Sequence, residues 1–196
     1  MERKWVYAAF VDIRGFGTWI YRASIPQEVK EPFINLYSKI LNNYVMANPG
    51  IHCKYLGDGF LAIQEFPKEG RQIKALFEFL KRLRYAVRKI KALIESMPHA
   101  PEGVRIRITE GYAYKISMTD PYFRDRQVSE FIEYGINTAE RLLQVNPEIT
   151  CLVTEGVARK LDSYRSIFKM RKLGIPSCYP KGVNKEDLES LEILRF

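Results

Sequence analysis

The sequence predicts an α+β domain in which a mixed, ferredoxin-like β-sheet is covered by helices. Hydrophobic segments of strand-like composition alternate with segments of helical periodicity along the chain. Their order is strand, helix, hairpin, helix, strand, helix, strand, which is typical of a sheet with helices packed against it. No internal repeat, low-complexity tract or long linker divides residues 1–196, so we expect one domain.

Four elements are predicted in the first half of the chain. A nearly continuous apolar run is typical of a strand buried on both faces, and two later segments carry apolar residues at helical spacing. In the longer of these two helices, the apolar residues at helical spacing between Ile73 and Ile94 form one stripe. Between the helices, a β-hairpin turns through Gly57-Asp58-Gly59. The strand, first helix, hairpin and second helix are predicted at residues 5–13, 26–47, 51–66 and about 69–97.

The second half begins with a segment that alternates β-branched and charged residues, which is typical of a strand. This strand starts at Val104 and either continues or turns near Gly111. The pattern beyond it predicts a helix, a short strand, a short helix and two final strands, at residues 134–145, 149–154, 155–161, 166–175 and 188–196.

Composition narrows the class of protein only modestly. The chain has 46% hydrophobic residues but no secretory or membrane-spanning apolar segment, so we expect a soluble, cytoplasmic protein without stable membrane association. Cys53, Cys151 and Cys178 form no CxxC pair and are interpreted as reduced thiols. The net charge of +8 suits RNA, a membrane surface or a nucleoside triphosphate equally well.

Two aspartates follow apolar strands and are candidate metal ligands. Asp12 ends the first predicted strand, and Asp58 stands at the hairpin tip. If these strands are neighbours, the two carboxylates meet at one edge of the sheet and can bind hard divalent cations. The alternative is that Asp12 caps the next segment and Asp58 merely forms a turn.

A second candidate constellation lies on the predicted helix 134–145. Asn137 and Arg141 are four residues apart, so both side chains leave one face of a helix. The Arg141 guanidinium can bind phosphate oxygens, and Asn137 can orient a ribose oxygen. The alternative is an amphipathic helix with a solvated arginine.

These segments, in this order, resemble the class III nucleotidyl cyclase domain. FVDIRGF resembles its first metal motif, KYLGDGFLAI its second, IRITEG its central strand and INTAERL its Asn-x-x-x-Arg helix. The resemblance extends from about residue 5 to 175. It implies cyclisation of a nucleoside triphosphate by attack of the ribose 3′-oxygen on the α-phosphorus, with release of pyrophosphate.

The resemblance also implies roles for individual residues. Asp12, Asp58 and the backbone carbonyl of Ile13 would hold two Mn²⁺ or Mg²⁺ ions. Asn137 and Arg141 would stabilise the transition state. Lys172, on the penultimate predicted strand, would reach the triphosphate.

The base that is cyclised depends on the hairpin residues Lys54 and Tyr55. In the family the position of Lys54 reads the base, and its lysine matches adenylate-type enzymes. Tyr55 replaces the small residue usual in purine cyclases, and an aromatic ring there favours a single-ring base. Together with DIRGF, it resembles the stand-alone uridylate and cytidylate cyclases of bacterial Pycsar anti-phage systems. Glu130 is a weak candidate for an acidic base reader, because Glu133 and Gly135 depart from the family pattern.

The family arrangement further implies a head-to-tail homodimer with shared active sites. Each site would combine metal ligands of one chain with nucleotide-binding residues of the other, namely Asp12 and Asp58 with Lys54, Tyr55, Asn137 and Arg141. A separate effector would sense only the cyclic product, and we expect no nucleic acid partner.

Other interpretations remain open at this point. An adenylate cyclase would carry out the same reaction on ATP instead of UTP or CTP. Palm-type polymerases and diguanylate cyclases also place an aspartate at a hairpin tip, but their longer acidic signatures are absent from this sequence. A non-enzymatic module would use the basic stripe 81–91 on RNA or anionic lipid, although a solvated helix face explains that stripe more simply.

Overall fold

The computed structural model describes residues 2–48, 50–66, 70–119, 127–132, 139, 141–145, 148–164, 166–173 and 190–193. Eight strands in this part of the chain form one sheet, in the order β2-β3-β1-β4-β6-β8-β7, with β5 paired to β4. The strands β1 to β8 are Glu2–Arg14, Ile51–Leu56, Gly59–Glu65, Gly103–Thr119, Gln127–Ile132, Cys151–Thr154, Met170–Lys172 and Ser190–Ile193.

The four described α-helices cover one face of this sheet and a short 3₁₀ helix packs on the other, which confirms the predicted α+β class. The α-helices α1 to α4 are Phe16–Tyr21, Gln27–Leu41, Gln72–Glu95 and Glu155–Lys160. A π-helix, Asn42–Met46, extends α2, and two short 3₁₀ helices span Leu142–Gln144 and Asp162–Tyr164. Among the described helices, none is both long and apolar enough to cross a membrane.

Long antiparallel pairing makes β1 and β4 the centre of the sheet. Their register runs without a break from Glu2 opposite Lys115 to Arg14 opposite Gly103. This pairing explains why β1 extends beyond the predicted residues 5–13, because hydrogen bonds to β4 continue on both sides of that apolar run. It also decides between the two predictions at Gly111, since β4 continues through that residue.

The two faces of the sheet have different partners. The helix face carries Val11, Ile13 and Ile106, which pack in the main core with α1, α2 and α3. The opposite face carries Val6, Ala8 and other small or branched residues in a second cluster with Phe131. Because side chains alternate along a strand, Asp12 and Arg105 belong to the opposite face.

Several predicted element boundaries are wrong. The strand predicted at 166–175 is only Met170–Lys172, and a 3₁₀ turn precedes it at Asp162–Tyr164. The long helix is shorter than predicted at both ends, and Ile73 is 44% exposed rather than part of the buried stripe. Most of the helix predicted at 134–145 lies outside the described residues, but Ala139 and Arg141 are helical.

Candidate active site

The hairpin β2–β3 brings Asp58 next to Asp12. Asp12 is the direct antiparallel partner of Gly59, the residue after Asp58. Gly57 begins the two-residue turn with a φ of 69°, a backbone conformation that suits glycine. A Cβ atom at Gly59 would lie 2.5 Å from the Val11 carbonyl oxygen, so a side chain there would push the hairpin away from β1. The two glycines thus allow two carboxylates to approach at the same end of the central strands.

Arg105 holds the Asp12 carboxylate from the neighbouring strand. The two residues are direct cross-strand partners of β1 and β4. Arg105 Nε donates a hydrogen bond to Asp12 Oδ2 at 2.9 Å, and Nη2 donates to the same oxygen. Both contacts end on Oδ2, so in the described part of the chain they leave Oδ1 for a cation. The sequence pattern marked Arg105 only as a charged strand residue, because the β1–β4 register is needed to pair it with Asp12.

A buried tyrosine borders the two aspartates from the helix face. Tyr37 of α2 is 5% exposed, and its hydroxyl has no hydrogen-bond partner among the described residues. Burial raises the pKa of Tyr37, and the nearby Tyr55, Asp58 and Asp12 raise it further. An unpartnered hydroxyl in a buried position is costly unless water or a ligand completes it. With its pKa raised, the Tyr37 hydroxyl stays protonated and adds no negative charge near the two carboxylates.

The donor set fits hard divalent cations. Asp12 and Asp58 supply carboxylate oxygens, and the Ile13 carbonyl, the predicted further oxygen ligand, follows Asp12 directly on β1. Within the described residues, no three His, Cys, Asp or Glu side chains cluster as a complete metal site. Mg²⁺ and Mn²⁺ suit this situation, because they are held by one or two carboxylates together with water and substrate phosphates.

Lys54 and Tyr55 leave opposite faces of β2. Lys54 is paired with Leu61 of the opposite-face cluster, whereas Tyr55 is paired with Phe60 of the main core. Tyr55 is 41% exposed, and partial burial raises its pKa, which the neighbouring Ser38 of α2 lowers in part. The Tyr55 ring therefore lies near the hairpin tip on the side of α2, and Lys54 is exposed on the other side.

The structure describes only some of the other predicted site residues. Arg141 is half-buried and helical, directly before the 3₁₀ turn Leu142–Gln144. Asn137 lies outside the described residues, so its spacing from Arg141 stays a prediction. Glu130 is on β5 opposite Ile116, but its side chain lies outside the description.

Lys172 is not brought to the aspartates of its own chain. It is exposed on β7, an outer strand of the sheet that is four positions from β1. At about 4.8 Å between neighbouring strands, this is a lateral separation of roughly 19 Å. A contact between Lys172 and a triphosphate held at Asp12 of the same chain would need a large reach, so this assignment stays a prediction without geometric support.

Comparison with known proteins identifies the fold. The adenylyl cyclase CyaB from P. aeruginosa superposes with a TM-score of 0.72 and 18% identity, covering 98% of this chain and 95% of that one. A bacterial light-regulated adenylyl cyclase superposes with a TM-score of 0.70 and 16% identity, covering 100% of this chain and 92% of that one. A dimeric guanylyl cyclase domain from the aquatic fungus Blastocladiella emersonii has a TM-score of 0.64 and 15% identity, covering 100% of this chain and 99% of that one.

The sequence itself matches no protein-family model and no curated protein. At these identities the structural similarity establishes the fold alone. The chain has the class III cyclase fold, and its activity has to be argued from its own residues.

Proposed function

We propose that this protein is a nucleotidyl cyclase that converts a pyrimidine nucleoside triphosphate, UTP or CTP, into the 3′,5′-cyclic mononucleotide and pyrophosphate. The observation that carries the proposal is the pairing of Asp12 with Gly59, which sets Asp58 beside Asp12 on the fold of the cyclase neighbours. Two carboxylates at one strand end suit phosphoryl chemistry, because together they can hold divalent cations and Arg105 balances the charge of only one of them.

The proposed reaction forms one P–O bond and breaks another. The ribose 3′-oxygen attacks the α-phosphorus, the bond from the α-phosphorus to the bridging oxygen breaks, and pyrophosphate leaves with the bonding electrons. The 3′-hydroxyl proton passes to solvent. Divalent cations, when bound, would lower the pKa of the 3′-hydroxyl and neutralise phosphate charge. Asp12, Asp58 and the Ile13 carbonyl would hold them.

The remaining work is positioning and charge stabilisation. Arg141 would bind the α-phosphoryl oxygens where charge develops, and Asn137 would orient the ribose. Arg105 keeps Asp12 Oδ2 fixed, so that Oδ1 has a defined direction. No covalent intermediate with the protein is required.

Tyr55 is the residue on which the pyrimidine assignment depends. The side chain lies near Ser38 of α2, and its exposed fraction of 41% leaves it at the surface beside the hairpin tip. An aromatic ring at this position would narrow the base pocket and favour a single-ring base over a purine. The product would act as a second messenger for a separate effector in anti-phage defence, as the resemblance to Pycsar cyclases implies.

We further propose that the active sites are shared in a head-to-tail homodimer. Asp12 and Asp58 of one chain would meet Lys54, Tyr55, Asn137 and Arg141 of the other. The exposed apolar side chains of Tyr55 and Leu56, next to Asp58, suit an interface at the hairpin. One neighbour with this fold is described as a dimeric guanylyl cyclase domain and another as a monomeric one, so the state has to be measured.

The decisive experiment assays ATP, GTP, CTP and UTP separately with Mn²⁺ and identifies products by mass spectrometry. We expect cyclic UMP or cyclic CMP from wild-type protein and none from Asp58→Ala. Cyclic AMP as the main product would instead establish the adenylate alternative. If no cyclic nucleotide forms, the cyclase proposal is wrong. Retained absorbance at 260 nm after nuclease treatment would then favour the RNA-binding alternative.

A further inference from the structure

Arg107 is a fully buried arginine in the middle of the central strand β4. Its side chain is 0% exposed, and it lies on the opposite face of the sheet, two residues beyond Arg105. Burial lowers its pKa to about 10, so the guanidinium is still charged at neutral pH. A buried charge of this kind is costly and is tolerated only when its donors are satisfied.

Backbone carbonyls before and after the connection between Val145 and Ile149 accept hydrogen bonds from these donors. On one side, Nε donates to the Leu142 oxygen at 2.8 Å and Nη2 to the Val145 oxygen at 3.2 Å. On the other side, Nη1 donates to the Ile149 oxygen at 2.9 Å, close to the start of β6. The guanidinium therefore joins the end of the helical segment to the strand that follows it.

The carbonyls of Leu142 and Val145 belong to the segment that begins with Arg141. Arg141 has helical dihedral angles of −65° and −31° and directly precedes the 3₁₀ turn. The last carbonyls of a helix have no partner within the helix, and a cation there is favourable. Arg105 adds one more contact, from Nη1 to the Leu143 oxygen at 3.2 Å. The position of Arg141 is thus fixed from β4 through the backbone that follows it.

We infer that Arg107 is a positioning residue for Arg141, acting through the carbonyls of Leu142 and Val145, and this inference rests on the proposed cyclase function. Arg107 itself is buried and does not touch the nucleotide. It sets the place from which the Arg141 guanidinium reaches the α-phosphoryl group. A misplacement of about 1 Å can reduce a rate about a hundredfold, so the backbone anchor matters for turnover.

Lysine is the informative replacement. Lys retains a positive charge but lacks the planar fork, so it cannot span Leu142, Val145 and Ile149 at once. We expect Arg107→Lys to lower kcat about a hundredfold with KM changed by less than about twofold. Val87→Ala, in the buried part of α3 on the other face, is the matched control for a destabilised core. It should keep kcat near wild type at temperatures where both variants are folded by circular dichroism.

A double-mutant cycle separates positioning from general damage. If Arg107 acts through Arg141, Arg107→Lys should cost less than about twofold in the residual rate of Arg141→Ala, which is too slow for the subunit-mixing assay but is measured in single turnover at high enzyme concentration. Equal losses in the wild-type and Arg141→Ala backgrounds would overturn the inference. A KM increase without a kcat loss would also overturn it, because it would place Arg107 in ground-state binding.

Subunit mixing tests which half of the shared site is affected. Arg107→Lys mixed with Asp58→Ala should regain activity, whereas Arg107→Lys mixed with Arg141→Ala should not, because both lesions affect the nucleotide-binding half and each of the two sites then carries one of them. Recovery in both mixtures, or in neither while Asp58→Ala with Arg141→Ala recovers, would overturn the inference. If that reference pair also stays inactive, the double-mutant cycle decides.

Failure of the proposed function has a different signature. Wild-type protein that makes no cyclic nucleotide from any of the four triphosphates contradicts the cyclase proposal. Hydrogen exchange then decides the structural part of the inference on the peptide that contains residues 141–145. Faster exchange there in Arg107→Lys, but not in Val87→Ala, supports the anchor. Unchanged exchange in Arg107→Lys overturns it.

Discussion

Asp12 of β1 and Arg105 of β4 face each other as direct cross-strand partners, and two Arg105 nitrogens hydrogen-bond one Asp12 oxygen. Their side chains are only 12% and 21% exposed, so the pair is largely removed from water. The candidate metal ligand therefore has a charge partner when no cation is bound. This arrangement makes the two aspartates unequal, because Asp12 is paired with an arginine and Asp58 stands in a turn.

The Asp12–Arg105 pair should contribute measurably to stability. We expect Arg105→Met to lower the free energy of unfolding by about 1–3 kcal/mol in EDTA, because it leaves a mostly buried carboxylate without its donor. Asp12→Asn combined with Arg105→Met should recover part of that loss. Arg14→Met is the control, since its contact with Glu102 is 3.4 Å and exposed. Urea titration measures all four proteins, and equal effects of the two arginine variants would contradict this prediction.

Removal of Asp58 should abolish activity without loss of stability. Asp58→Ala removes a metal ligand and one of two neighbouring carboxylates, so cyclisation should be lost while the melting temperature is unchanged or higher. Mn²⁺ should raise the melting temperature of wild-type protein but not of this variant. Asp162→Ala, at a carboxylate outside the proposed site, should keep both cyclisation and the rise in melting temperature with Mn²⁺. Substantial cyclisation by Asp58→Ala would remove the metal assignment.

Tyr55 should control the choice between one-ring and two-ring bases. Tyr55→Thr widens the proposed pocket, so kcat/KM for ATP and GTP should rise relative to UTP and CTP by about 1–3 kcal/mol of discrimination. Competition assays with mixed triphosphates measure the ratio directly. Tyr21→Thr, at a tyrosine that is 89% exposed, should leave the ratio unchanged. An unchanged ratio in Tyr55→Thr would assign Tyr55 to packing against α2.

Two inactive variants should complement each other if the sites are shared. Asp58→Ala and Arg141→Ala are each expected to be inactive alone. A mixed dimer has one site with both lesions and one with neither, so random pairing should restore at most about a quarter of wild-type activity. Native mass spectrometry verifies that subunits have exchanged. Mixtures that exchange but stay inactive would show that each site is built within one chain.

The Cys53 thiol of β2 should be unreactive in the folded protein. Burial raises the pKa of Cys53 to about 12 from a usual value of 9.0, so at pH 8.5 the folded chain has about a thousandfold less thiolate than the unfolded chain. Iodoacetamide labelling, located by peptide mapping, should be fast only in urea. By linkage, this thiol's contribution to stability is complete below pH 9 and is lost as the pH rises toward 12. Equal labelling rates in buffer and urea would contradict the burial.

The elements and the two aspartates follow from local sequence patterns. The apolar run before Asp12 and the glycines around Asp58 predict a strand and a hairpin, because burial and turn geometry depend on neighbouring residues. The ends of elements were predicted less well. The strand predicted at 166–175 is limited to Met170–Lys172. Such boundaries depend on long-range strand pairing, which no local window contains.

By itself, the sequence determined the α+β class, the order of the elements and the side-chain chemistry of Asp12, Asp58 and Arg141. Only the tertiary structure decided which of these groups meet. The β1–β4 register selects Arg105 as the partner of Asp12, and β-strand alternation places Lys54 and Tyr55 on opposite faces. The same register buries Arg107 beneath the segment that follows Arg141. The physical reason is that a shift of one residue in strand register exchanges every side chain between the two faces of the sheet.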